Sequence, residues 1–181
     1  MIFISGIHGV GKSHFCAKAK VVLGVDTFSA SDLISKQRQI SFSGDKLISD
    51  IDTNQSHLLI AVQELNAANS GYLLDGHFCL LNEERQVTRI PVETFLSLSP
   101  DAIILLTENP EIIAKRRKQR DNIDNTLKEI HFFQNEEIIY ATEVAETLRI
   151  PFKISTGKGD LDNMLDFLQG VLRRRKDNNG R

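Results

Sequence analysis

The chain has 181 residues, 41% hydrophobic and 25% charged, and its 22 Lys and Arg against 24 Asp and Glu give a formal net charge of −2. That length suits one domain with a full apolar core and no need of a disulfide or metal staple. The composition argues against a disordered, collagen-like or disulfide-scaffold chain, and the charge balance argues against nucleic acid or an anionic membrane as partner. No apolar run reaches the length of a spanning helix. The opening MIFIS meets Gly6 too soon for a signal peptide. Cys16 and Cys79 form no metal-ligand spacing and read as reduced, buried thiols of a cytoplasmic protein.

In chain order, short apolar runs alternate with stretches of helical period, the pattern of α/β units around a parallel sheet. Met1–Ser5 reads as the first strand, Lys12 to about Leu23 as a helix, and Val25–Phe28 as the second strand. Ser29-Ala30-Ser31-Asp32 has the residues of a helix cap and opens a helix through Gln39. A long helix is expected from about Asp45 to Asn69, with Leu47, Ile51, Leu58, Val62 and Leu65 on one side and Gln55 filling the gap. Ser70-Gly71 stops it before the third strand, Tyr72–Asp75. Asp101–Leu106 is apolar enough for a strand covered on both faces, and Asn109-Pro110 opens the next helix in cap and first-turn order. Another helix is expected over about Asn125–Leu148, with Leu127, Ile130, Ile138, Ala141, Ala145 and Leu148 on one face. Pro151–Ser155 is the last strand and Asp160–Leu172 the closing helix. The tail RRRKDNNGR carries five basic residues against one acid and reads as a flexible, solvated terminus. The organisation is one domain over 1–172, with a helical insert at about 29–70, a short lid at about 115–125, and a basic tail at 173–181.

The most specific signal is Gly6-Ile7-His8-Gly9-Val10-Gly11-Lys12-Ser13, which fits the G-x-x-x-x-G-K-[ST] phosphate-binding loop. It follows an expected strand and opens an expected helix, as the chemistry requires. Glycines let the backbone wrap phosphates, so that amide hydrogens and a helix N-terminus face the anion. Lys12 would reach the β- and γ-phosphates of ATP, and the Ser13 hydroxyl would hold Mg²⁺. His8, Val10 and His14 line the cradle without a chemical part expected of the two histidine side chains.

The rest of the chain narrows the branch. The Asn-Lys-x-Asp pattern of a GTP switch is absent, and the third strand ends Leu73-Leu74-Asp75-Gly76-His77 with no glutamate beside Asp75. An aspartate without that water-polarising glutamate fits a phosphoryl transferase, where Asp75 would hold Mg²⁺ directly or through water. Lys115, Arg116, Arg117, Lys118 and Arg120 fall within six residues. On a helix, 116 and 120 share a face with 117 beside them, so their guanidiniums are expected to clamp the transferring phosphoryl group.

These motifs resemble the adenylate kinase family, its archaeal type more than its bacterial one. GIHGVGKS resembles the family's cradle, FSASDLIS the opening of its monophosphate-binding helices, and LLDGHF its third strand. SPDAIILLTENPEIIAKRRKQRD is similar to the stretch leading into its arginine-rich lid, and the likeness continues through IHFFQNEEIIYA. The resemblance implies a P-loop three-layer α/β sandwich, a five-stranded parallel sheet in the order 2-3-1-4-5 flanked by helices. It implies ATP over the cradle, with its adenine between the Arg116 region and the loop Thr156-Gly157-Lys158. The acceptor would sit between the Ser31-Asp32 helices and the Asp75–His77 edge. Ser35 stands where the family carries an acceptor-binding arginine, which leaves Lys36 and Arg38 as substitutes, and position 136 is Glu rather than Arg.

The expected function is therefore transfer of the ATP γ-phosphoryl to a small acceptor, a nucleoside monophosphate first, with Mg²⁺. Two alternatives stay open: a hydroxyl-directed kinase of shikimate or gluconate type, for which Asp32 is the candidate base, and a nucleotide-dependent regulatory ATPase. His77 reads equally as a substrate contact or as a residue of the strand-end turn.

Overall fold

The computed structural model describes residues 1–38, 51–68, 71–82, 84–122, 124–157 and 159–179, with backbone alone at 51–52 and 175–179. The first half comprises β1 (Ile2–Ser5), α1 (Lys12–Leu23), β2 (Asp26–Ser29), α2 (Ala30–Arg38), α3 (Ile51–Ala68) and β3 (Tyr72–Asp75). Then come β4 (Cys79–Leu81), β5 (Val87–Arg89), α4 (Val92–Leu98) and β6 (Ala102–Leu106). The chain closes with α5 (Pro110–Asp121), α6 (Leu127–Leu148), β7 (Phe152–Ser155) and α7 (Leu161–Asn179).

Five strands form one parallel sheet in the order β2-β3-β1-β6-β7, which is the expected 2-3-1-4-5 order counted over those strands. β1 and β6 are buried along their whole length, as central strands covered on both faces must be. α1 packs on β2, β3 and α7, while α6 packs on β6 and α4, so the sheet is sandwiched between helices. Among the described residues no helix is long and apolar enough to cross a membrane.

The structure departs from expectation in three places. The antiparallel hairpin β4–β5 and the helix α4 fill the stretch between β3 and β6, where the sequence pattern shows no element. α7 runs on to Asn179, so the basic stretch from Arg173 to Asn179 continues a helix instead of forming a free tail. No Gly or Pro interrupts 173–179, and Arg and Lys are good helix formers favoured near a C-terminus. The buried face of α6 is Ile130, Phe133, Glu137, Tyr140, Ala141, Val144 and Ala145, whereas Leu127 is exposed. The expected helix boundaries at Gln39, Asp45 and Asn69-Ser70, together with Leu47 and Lys158, lie outside the described residues.

Strand order places the site. β1 leads on to β2 on one side, while β6 lies on its other side, so the loop after β1 leaves the sheet where the winding direction reverses. That crevice is where open α/β sheets bind ligands.

Candidate phosphate-binding cleft

The loop between β1 and α1 takes its shape from glycine. Gly6, Gly9 and Gly11 have φ of 137°, 84° and 114°, in the left-handed region. A Cβ on Gly6 would stand 2.4 Å from the Leu106 carbonyl oxygen, so this position excludes any side chain. Gly11 is also the N-cap of α1 and supplies no side-chain cap, which leaves the first-turn N–H groups of that helix for a ligand.

Two arginines of α5 hold the same loop. Arg117 Nε donates to the His8 carbonyl at 2.8 Å, and Arg116 Nη1 donates to the Val10 carbonyl at 2.9 Å and the Gly9 carbonyl at 3.3 Å. In a trans peptide the N–H points opposite to the C=O. Tying the His8 and Val10 carbonyls to α5 therefore turns the Gly9 and Gly11 N–H groups away from α5. Arg117 is only 6% exposed, its Nη1 donates to Asn125 Oδ1 at 3.1 Å, and its Nη2 has no partner among the described residues. Burial pulls its pKa down to about 10, with Arg120 adding to the effect and Asp121 opposing it, which still leaves it charged at neutral pH.

Lys12 lies at the mouth of α1, 8% exposed, with Nζ donating to the Gly6 carbonyl at 2.6 Å. The same ammonium is 3.4 Å from His77 Nε2 and 3.9 Å from Asp75 Oδ1. His77 packs its ring on His8 at 4.2 Å between centroids, so both histidines belong to the wall of the site. Asp75 ends β3 in register with Ile4 of β1, which is why strand pairing alone brings it to Lys12.

A cleft of about 580 Å³ opens from the cradle toward α2 and α3. Gly9, Gly11, Lys12, Ser13 and His14 line it at the cradle, with Asp75 and His77 beside them and Arg116 and Arg120 from α5. Ser13 and Asp75 thus face one space, with a hydroxyl and a carboxylate that suit Mg²⁺ completed by substrate oxygens. Among the described residues no group of three His, Cys, Asp or Glu could hold a metal ion by itself.

The remaining expected residues divide. Ser31 lines the cleft, but Asp32 and Lys36 are exposed and do not, because α2 turns only its Ser31–Ile34 side inward. Arg38 is engaged by Asn54, which accepts from Nη1 at 2.6 Å. Arg117 forms the outer support of the loop instead of the cleft wall. Arg120 makes a two-bond contact to Asp121, at 2.8 and 2.6 Å, which raises its pKa. Gly157 has φ of 96° and would bring a Cβ to 3.1 Å from Glu108 Oε1, while Glu108 Oε2 accepts from Arg116 at 3.3 Å. The loop after β7 and Arg116 therefore meet through Glu108.

Sequence reading missed three groups. Asn54 and Gln55 are buried polar side chains on the α3 wall of the cleft. Gln134 clamps the loop after β6 by exchanging bonds of 3.1 and 3.0 Å with the Glu108 backbone. Glu137 is 1% exposed, and accepts from Ser5 Oγ at 2.5 Å and from the Phe78 and Cys79 N–H groups at 3.0 and 2.7 Å. Its position within the apolar stripe Ile130, Phe133, Tyr140, Ala141 was the available signal.

Known proteins agree with this architecture. A proposed adenylate kinase of Methanocaldococcus jannaschii is 22% identical over 99% of this chain and 89% of its own length. A shikimate kinase of Acinetobacter baumannii, solved with shikimate, superposes with a TM-score of 0.64 at 15% identity, covering 96% of this chain and 93% of that one. A gluconokinase of Sinorhizobium meliloti 1021 gives 0.51 at 14% identity, over 98% and 93% of the two chains. The fold is that of the P-loop kinases. Residues 5–131, well over half of the chain, match the AAA domain model, and the protein belongs to that family.

Proposed function

We propose that this protein is an ATP-dependent phosphotransferase that moves the γ-phosphoryl group of Mg·ATP to a small acceptor. The reading is carried by one observation: the glycine cradle and the acceptor-side cleft are a single continuous space, with Lys12 between them. The kinase names of the relatives support it.

The phosphates of ATP lie on the Gly9 and Gly11 amides and the N-terminus of α1. Ser13 and Asp75 would hold Mg²⁺, which neutralises charge on the phosphates. Lys12 gives up its bond to the Gly6 carbonyl to follow the transferred group, and Arg116 and Arg120 supply further positive charge beside it. His8 and His14 complete the cradle wall, whereas Val10 buries its side chain in the core behind the loop and does not line the cleft, and Gly157 leaves room near Glu108 for the base. Alignment of the two reactants in one continuous cleft is then the main source of rate.

A nucleoside monophosphate is the leading acceptor, held between α2 and α3, with Ser31, Asp75 and His77 facing it. A hydroxyl acceptor is the second reading, and one feature supports it. Among the described residues, the basic side chains lining the cleft are Lys12 on α1 and Arg116 and Arg120 on α5, with the histidines beside them, whereas α2 and α3 offer Ser31, Asn54 and Gln55. Asp32, exposed on α2, is poorly placed to act as base for that reaction. ADP formation from Mg·ATP, alone and with nucleoside monophosphates, nucleosides and polyhydroxy acids, decides among these readings. Selective acceleration by one class names the acceptor. Slow hydrolysis indifferent to all of them would favour a regulatory ATPase.

A further inference from the structure

Where β1 and β3 part, their ladder ends. Ile4 is still in register with Asp75, and the Gly76 N–H still reaches the Ile4 carbonyl at 2.9 Å. Past this point Ser5 turns into the cradle, while His77 leads into Phe78 and the hairpin. The side chain between the two diverging segments comes from far along the chain. Glu137 of α6 takes Ser5 Oγ and the Phe78 N–H on Oε1, and the Cys79 N–H on Oε2.

We infer that Glu137 is a positioning residue that sets the spacing between the phosphate cradle and the Asp75–His77 segment. It holds Ser5 on one side and the Phe78–Cys79 backbone on the other. Its kinetic consequence rests on the phosphotransferase reading; its structural consequence does not. Ser5 precedes Gly6, whose carbonyl holds Lys12, and Phe78 follows His77, which lies 3.4 Å from the same ammonium. A shift on either side changes where Lys12 stands relative to Asp75 and His77.

The carboxylate suits this task better than any neutral group. Ionised, it accepts only, and its two oxygens meet three donors. A glutamine of the same size would turn its NH₂ toward a donor. Burial raises the pKa of Glu137, while Ser5, the two amides and nearby Lys12 oppose the rise. A carboxylate in such a place is costly to desolvate, and an apolar side chain would serve packing alone as well or better.

Residue-resolved amide hydrogen exchange of the native protein tests this without turnover, because Glu137 holds the Phe78 and Cys79 N–H groups while the Leu168 N–H lies elsewhere, in α7. In Glu137→Gln, the Phe78 and Cys79 amides should exchange about tenfold faster or more while the Leu168 amide keeps its rate. The same variant should lose about 10²-fold in kcat for Mg·ATP consumption with the KM for ATP unchanged, the pattern of misplaced catalytic groups. Glu137→Asp should recover part of both losses. Should Glu137→Gln not fold, Ser5→Ala releases only the cradle side: kcat falls and the Cys79 amide stays protected. The Phe78, Cys79 and Leu168 amides gaining exchange together, with kcat per folded molecule unchanged, would reduce Glu137 to a packing role and overturn the inference. A parent protein that consumes no ATP would overturn the phosphotransferase reading alone, since the exchange contrast decides the positioning role by itself.

Discussion

Arg117 Nε donates to the carbonyl of His8 at 2.8 Å, across 109 positions of sequence. The bond makes a helix after the fourth parallel strand a structural part of the loop after the first. Because C=O and N–H oppose each other in a peptide unit, the grip on the carbonyl also sets the direction of the Gly9 amide.

Replacing Arg117 should therefore weaken nucleotide binding even though its guanidinium is not in the cleft wall. A hydrogen bond from a charged group is worth about 1.5–3 kcal/mol, which corresponds to about a ten- to hundredfold loss in ATP affinity. Arg117→Lys, which keeps the charge but not the geometry of Nε, should lose nearly as much as Arg117→Ala. Calorimetric titration with Mg·ATP measures it. Full affinity in the lysine variant would show that only the charge matters.

Gly6→Ala tests the loop from inside. At φ of 137° an alanine carries about 1–3 kcal/mol of backbone strain, before the 2.4 Å approach of its Cβ to the Leu106 carbonyl is counted. The melting temperature should drop and ATP binding should vanish. Gly24, also left-handed but with open space around its Cβ position, provides the comparison: Gly24→Ala should bear strain without loss of binding.

On the acceptor side, Gln55 is buried at the cleft wall with an uncharged amide. Gln55→Leu should raise the KM of the accepted phosphoryl acceptor about fivefold, the worth of one neutral hydrogen bond, while leaving the KM for ATP as it was. Equal changes in both constants would place Gln55 outside the acceptor site.

Cys16 gives a pH-dependent prediction. Burial, with Asp75 adding and Lys12 opposing, pushes its thiol from 9.0 up to about 12. Between these values the unfolded chain has released the proton and the native protein keeps it. The unfolded state then binds fewer protons, so stability falls as pH rises through the window, by at most about 1.4 kcal/mol per pH unit. Urea unfolding of the parent and of Cys16→Ala should converge on the alkaline side. A gap independent of pH would contradict the burial of this thiol.

Much of this was legible in the sequence for definite reasons. β1 and β6 are fully buried and read as continuous apolar runs, and the cradle glycines stand at positions whose backbone demands them. The hairpin β4–β5 was not legible, since strands of three residues are too short to display alternation. The basic run after β6 was visible, but its division of labour was not. Arg117 is buried against the loop while Arg116 and Arg120 reach the cleft, and this depends on where α5 crosses the cradle. Glu137 was not legible because the partners that hold its carboxylate inside, Ser5 and the Phe78 and Cys79 N–H groups, lie 58 to 132 positions away in sequence. Asp32 shows the converse: an acidic residue in a familiar-looking motif that the rotation of α2 turns outward.

ADP formation from Mg·ATP by the parent protein and by Lys12→Ala, both shown to be folded by circular dichroism, tests the central claim most directly. The parent should form ADP, faster with its acceptor, and Lys12→Ala should form none above background. Equal rates in the two proteins would mean that phosphoryl chemistry does not take place at this cradle.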